Sequence, residues 1–299
     1  MAQKDWEEVR KIIDLKSSGH LEYFLTSEQV FLPNNLLPNP FNADHSNFSA
    51  SDLGKGKPGQ WIPVYYIKDI PDSFRESNVV PVRAGPAEFF FYKGEMFFDL
   101  ESINFKKIDT GKINSVESYI PVTLKANFQR NENAYLNKAI ALGYINHFVD
   151  DVGLTVFEHE IETKTHKRLL YGQFGKIKIT NPLQFKTSKG SKSINSGFQF
   201  EIDLVLENRD EIIIFEAKTG NKAFKNFSLL QLYYPLIYLR SILQEPKPIR
   251  TIFIDITTTQ NSETYRLLEI YFKDDMFDEV EVLSACEYHK CGKENLCNI

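Results

Sequence analysis

The chain has 299 residues, 42% hydrophobic and 13% aromatic, which is enough for one large or two ordinary folded domains with real cores. A formal charge of −5 excludes a globally basic nucleic-acid coat protein, although it leaves room for a local basic surface. No apolar run approaches the roughly 18–20 residues needed to span a bilayer, so no membrane partner is expected.

The N-terminus, MAQKDWEEVRK, is charged and unlike a signal peptide, which points to a cytoplasmic, reduced setting. Helical spacing of Trp6, Val9, Ile12, Ile13 and Leu15 predicts a first helix, broken at Ser17–His20. Residues 32–63 are irregular, with five prolines and the GKGKPG run around Lys55 and Lys57. Short strands are expected at Trp61–Ile67 and Val79–Arg83, then a hairpin of Glu88–Tyr92 with Glu95–Leu100 around Lys93-Gly94. These segments read as a smaller α+β domain over residues 1–120, an accessory or DNA-recognition unit. Any DNA contact from it falls to a few side chains such as Arg83.

Residues 121–285 read as the main domain. Asn131–Val149 carries apolar residues at helical spacing, with Glu132 in its first turn, where an acid also suits the helix dipole. From Thr163 to Phe200 the charge turns one-sided. Lys164, Lys167, Arg168, Lys176, Lys178, Lys186, Lys189 and Lys192 occur there with no acid, a composition suited to a phosphate backbone. Phe198–Leu206 alternates as one strand, with Glu201 and Asp203 on the face opposite Phe198, Phe200, Ile202, Leu204 and Leu206. The apolar run Glu211–Phe215 closes on Glu216-Ala217-Lys218, whose two charged side chains share a strand face. A hairpin at Glu207–Asp210 then brings Asp203 beside Glu216 and Lys218. Two carboxylates and an ammonium at the edge of a buried sheet make poor packing sense and good sense around a divalent cation. Phe224–Leu243 is expected to be helical, with Pro235 inside it disturbing its start. Ile249–Ile256 reads as an interior strand and Arg266–Phe272 as its neighbour.

All three cysteines fall in the last fourteen residues. A zinc site of Cys286, His289, Cys291 and Cys297 is the sharper reading of that tail. A polar terminal segment over 286–299 with free thiols is the plainer and preferred one.

Read together, Asp203, Glu216 and Lys218, with Ile202-Asp203 standing where Pro-Asp is usual, resemble the PD-(D/E)xK nuclease signature. Gln231-Leu232-Tyr233-Tyr234-Pro235 resembles the glutamine-tyrosine element that some branches place beside the site. Ile70–Gly94, Asn131–Phe148 and Phe200–Arg240 together resemble type II restriction endonucleases with a winged-helix-like N-terminal domain. The resemblance implies a restriction-endonuclease-like core, a mixed β-sheet flanked by helices. It implies Mg2+, with Mn2+ substituting, held by Asp203, Glu216 and the Ala217 carbonyl. Lys218 would orient or deprotonate the attacking water, or stabilise the pentacoordinate state, with Gln231, Glu132 and Glu201 as secondary candidates. The implied activity is site-specific, metal-dependent hydrolysis of double-stranded DNA by a homodimer, in a restriction-modification system with a cognate DNA methyltransferase. A structure-dependent repair or junction nuclease and an inactive DNA-binding module are the alternatives.

Overall fold

A computed structural model describes residues 75–76, 78–84, 89–113, 132–149, 174–207, 211–220, 226–259 and 262–291. The expected N-terminal helix, the proline-rich segment with Lys55 and Lys57, the strand at 61–67, and Lys164, Lys167, Arg168 and Cys297 lie outside them.

The strands run, in chain order, β1 (Val79–Arg83), β2 (Phe89–Lys93), β3 (Phe97–Asp99) and β4 (Lys106–Ile108). Helices α1 (Glu132–Ala141) and α2 (Tyr144–His147) come next. Then follow β5 (Phe174–Lys178), β6 (Leu183–Thr187), β7 (Gly190–Ile194), β8 (Gln199–Ile202), β9 (Leu204–Glu207), β10 (Ile212–Thr219) and β11 (Asn226–Ser228). Helix α3 (Leu230–Ile242) precedes β12 (Ile249–Thr258), β13 (Ser262–Phe272) and β14 (Val280–Cys291).

The centre is a six-stranded mixed sheet in the order β4-β14-β13-β12-β10-β9. β10 and β12 are parallel and joined through α3, whereas β9–β10, β12–β13 and β13–β14 are antiparallel. Parallel neighbours need such a crossover, which puts a helix on the sheet face. Both faces are covered, so β10 and β12 are near-continuous apolar runs. Side chains alternate between two cores. Ile212, Ile214 and Phe253 join the core containing α3, and Ile213, Phe215, Ile252 and Ile254 join the core containing α1 and α2. The chain is therefore a mixed α/β protein with a central mixed sheet flanked by helices. Among the described residues no helix is long and apolar enough to cross a membrane.

Several expected elements differ in detail. The helix anticipated over 131–149 breaks at Gly143, whose φ of 78° favours a residue without Cβ. The helix anticipated from Phe224 starts only at Leu230, after a short strand, and keeps Pro235 in its interior. Lys93-Gly94 is not the tip of a β2–β3 hairpin. β2 pairs backwards with β1, and β3 pairs with β11, far along the chain. The division of the chain at 120/121 is crossed twice, because β3 pairs with β11 and β4 lies parallel to β14. The division at 285/286 is crossed by β14, which continues to Cys291 between β13 and β4.

One end of the sheet carries a transverse row of charges. Register places Lys218 beside Asp255, Asp255 opposite Arg266, Arg266 opposite Glu287, and Glu287 beside Lys107. Arg266 bonds to Asp255 at 3.2 Å and to Glu287 at 2.7 Å.

Candidate functional site

The site forms where β9 stops pairing. The β9–β10 ladder ends at Leu204 and Phe215, so among the described residues the last residues of β10 have no strand partner on that side. Asp203 occupies the gap, and its Oδ2 accepts from the Ala217 N–H at 2.8 Å. This explains why the expected single strand over Phe198–Leu206 is two. β8 leaves to pair with β5, β9 enters the central sheet, and the turn between them is Asp203. Leu204, Val205 and Leu206 are all buried, so strict alternation fails there, while Glu201 is exposed on β8.

On β10, Glu216 and Lys218 share a face as their spacing requires. Lys218 Nζ lies 2.5 Å from Glu216 Oε1 and donates to the Ala217 carbonyl at 3.1 Å. From α3, Gln231 Nε2 donates to the same Glu216 oxygen at 2.7 Å. Pro235 lacks the N–H that would otherwise bond the Gln231 carbonyl, so the helix is weakened at the residue that reaches the site. From α1, Glu132 Oε1 lies 3.7 Å from Lys218 Nζ. The fold thus gathers Asp203, Glu216, Ala217, Lys218, Gln231 and Glu132 from four elements.

Electrostatics follow from burial. Glu216 is 5% exposed. Its carboxyl is pushed up to about 8 by desolvation and by the Asp203 and Glu132 charges, against the opposing pull of Lys218. Glu132 is also raised, first by desolvation. Lys218 loses hydration on burial, yet its three carboxylate neighbours outweigh that and raise it. The ammonium stays charged and holds together acids that would otherwise repel.

A pH dependence follows. Glu216 has a higher pKa in the folded state than its ordinary 4.5, so the native protein holds a proton that the unfolded chain gives up between them. Its contribution is complete below about 4.5 and is lost as pH rises through about 8. In metal-free buffer, urea unfolding of the wild type minus that of Glu216→Gln should show stability falling across this window. Parallel pH profiles for the two proteins would contradict it.

Among the described residues no group of three or more His, Cys, Asp or Glu side chains is arranged to hold a metal ion. A cation at this site would rest on Asp203, Glu216 and the Ala217 carbonyl. The zinc reading of the C-terminus does not survive the strand geometry. In β14 Cys286 points into the α1–α2 core, whereas His289 is exposed and bonds Thr264 Oγ1 at 3.1 Å. Residues three apart in a strand face opposite sides, so these two cannot share an ion. Cys291 is the last residue of that strand.

Of the expected DNA-contacting residues, Lys178, Lys186 and Lys189 are exposed and Lys192 is half-buried. Lys176 and Arg83 lie in β5 and β1. Tyr233 of α3 is buried in the core and has a second role. Its hydroxyl accepts from Lys186 N at 3.0 Å and donates to the Asp275 carbonyl at 2.8 Å. The buried pair of Arg250 and Glu269 was not anticipated. A lone arginine in the apolar run IRTIFIDI and a lone glutamate in RLLEIYF are the signal for it.

A family model described as Domain of unknown function (DUF6997) matches residues 92–289. No curated protein and no solved structure matches the chain.

Proposed function

We propose that this chain, which belongs to the DUF6997 family, is a PD-(D/E)xK nuclease of the type II restriction kind, a Mg2+-dependent endonuclease of double-stranded DNA. The observation that carries the proposal is the hydrogen bond from Ala217 N to Asp203 Oδ2, which fixes the first acid of the signature against the strand bearing Glu216 and Lys218. A restriction-endonuclease-like core is supported by a helix packed under the sheet, the β9–β10 hairpin and the α3 crossover to a parallel β12.

The donors suit a hard cation. Mg2+ takes oxygen ligands, often only one or two carboxylates together with waters and substrate oxygens. Glu216 and the Ala217 carbonyl already share one positive charge, the Lys218 ammonium. When bound, Mg2+ neutralises charge on the scissile phosphate and acidifies a water. The protein groups do the rest. Gln231 fixes the orientation of the Glu216 carboxylate. Lys218, released from the two oxygens it now contacts, presents its ammonium to the developing charge of the phosphate. Glu132, across from Lys218, gives that ammonium a second anchor. Water attacks phosphorus and gives up a proton to solvent, the P–O bond to the departing sugar oxygen breaks, and that oxygen takes up a proton from solvent to leave as a hydroxyl.

Plasmid and phage DNA incubated with the protein and Mg2+ should give discrete fragments, and EDTA should prevent them. Smears or cuts confined to branched substrates would favour a structure-dependent nuclease. Tight DNA binding without cleavage at any metal or salt would leave an inactive binding module. Mn2+ should substitute for Mg2+. A homodimer and a cognate methyltransferase belong to the same proposal, because cutting both strands of a symmetric site calls for two related active sites.

A further inference from the structure

We propose that the β6–β7 ribbon docks in the major groove of double-stranded DNA, with Lys186 and Lys189 on phosphates and Gln184, Ser191 and Ser193 at the base edges. This rests on the nuclease reading for its substrate class but not on cleavage.

The ribbon has two unlike faces. Leu183, Phe185, Thr187 and Ile194 point inward and are buried. Phe185 packs edge-on against Tyr92 and Tyr233, with ring centroids 5.9 and 5.2 Å apart. The other face holds Gln184 opposite Ser193 and Lys186 opposite Ser191, and all four are exposed. Directly opposed residues of an antiparallel pair share a face, so these four make one polar patch. It offers an amide, two hydroxyls and an ammonium, with no carboxylate and no apolar group. Lys189 stands at the tip, and Lys178 is exposed on the preceding strand. Over Thr163–Phe200 the sequence has no acid, which complements a polyanion.

The ribbon is also held rigidly, as a reading element must be. At its tip, Asp278 accepts from Ser188 N at 2.8 Å and from Ser188 Oγ at 2.5 Å. At its middle, Phe277 N donates to the Lys186 carbonyl at 2.8 Å, and Tyr233 bonds the same residue. Tyr233 lies two residues beyond Gln231 on α3, so one helix fixes the ribbon backbone and the Glu216 carboxylate. The main-chain groups of Lys186 are thus taken while its side chain remains outward. A two-stranded ribbon fits the major groove, about 12 Å wide, where an amide can pair with adenine and hydroxyls with several base edges.

Binding measured in EDTA separates this proposal from the cleavage reading. The full chain is titrated with a fluorescent 30-base-pair random-sequence duplex, over a salt series, and is used to enrich duplexes from a random pool. Lys186→Ala with Lys189→Ala should weaken duplex binding about tenfold at moderate salt and reduce the salt slope by about two, close to one for each phosphate no longer neutralised. Gln184→Ala should retain affinity for the random duplex within about twofold and relax the sequence preference at one position of the enriched site. Lys112→Ala removes an exposed lysine outside the ribbon and should change neither. Thermal melts check that each variant is folded. Wild-type affinity and salt slope in the double variant would overturn the phosphate contacts. An unchanged enriched site in Gln184→Ala would overturn the base contacts. Wild-type binding no tighter to the duplex than to a single strand of equal length, or absent altogether, would overturn groove docking. Mg2+-dependent cleavage is scored separately, so its loss does not stand in for any of these outcomes.

Discussion

Asp203→Asn is expected to lower Mg2+-dependent plasmid cleavage by at least about 10²–10³-fold, the scale on which one electrostatic catalytic group is missed. The change is conservative by design. An asparagine oxygen can still accept from Ala217 N, so the turn between β8 and β9 keeps its anchor. What disappears is one of the negative charges that would hold a cation. Lys218→Met should be equally inactive for a different reason. Its stem still packs, but the ammonium that contacts Glu216 and Ala217 is gone. Glu216, already raised to about 8 with that ammonium beside it, then holds its proton more firmly still, which limits the structural damage. Both variants should bind a duplex in EDTA with near wild-type affinity. Wild-type cleavage rates in either would remove these residues from the chemistry.

The largest stability effect is expected far from that site. Arg250 donates to Glu269 through Nε at 2.7 Å and Nη2 at 2.9 Å, and the two side chains are 8% and 2% exposed. Arg250 Nη1 also reaches the Val149 carbonyl at 3.4 Å and lies 3.6 Å from Glu211, tying the end of the α1–α2 layer to the sheet. Glu269→Ala leaves a buried guanidinium facing only those weaker partners. Breaking such a pair costs about 3–5 kcal/mol, a large fraction of a typical folding free energy. Replacing both, as Arg250→Met with Glu269→Leu, should recover most of the loss, because two apolar groups need no partner. Guanidinium unfolding of the single and double variants decides this. A double variant no more stable than Glu269→Ala would show that the pair is not what the core depends on.

Much of the site could be read from the sequence because its logic is local. Glu216 and Lys218 are two apart on an apolar strand, and the period of two puts them together without any tertiary knowledge. The β9–β10 hairpin and interior β12 were legible for the same reason. Asp203 was legible as a residue but not as a geometry. The apolar alternation runs on through Phe198–Leu206, so nothing local marks the point where the chain changes sheets. Long-range pairing was equally hidden. β3 is joined to β11 and β4 to β14 across more than a hundred residues, and turn signals such as Lys93-Gly94 say nothing of that. The C-terminal segment misled through composition. Its polar residues suit a loose tail, yet β14 needs only Cys286 and Tyr288 on its inward side. Tyr233 and Arg250 matter through partners that no sequence period could have supplied.

The transverse row of Lys218, Asp255, Arg266, Glu287 and Lys107 bears on which alignments of the sheet are permitted at all. A slip by one residue would turn a strand inside out and is forbidden by the two cores. A slip by two keeps every apolar face correct, so hydrophobic burial alone discriminates against it weakly. The row supplies that discrimination. Shifting β13 by two would set Leu268 or Thr264 opposite Asp255, whose carboxylate is fully buried, and strip it of Arg266. The observed alignment sets each charge in register beside its opposite and joins Asp255, Arg266 and Glu287 in ion pairs. Because that row begins at Lys218, the same alignment that satisfies it also sets the end of β10 that carries Glu216 and Lys218, which makes the ladder a vernier for the site.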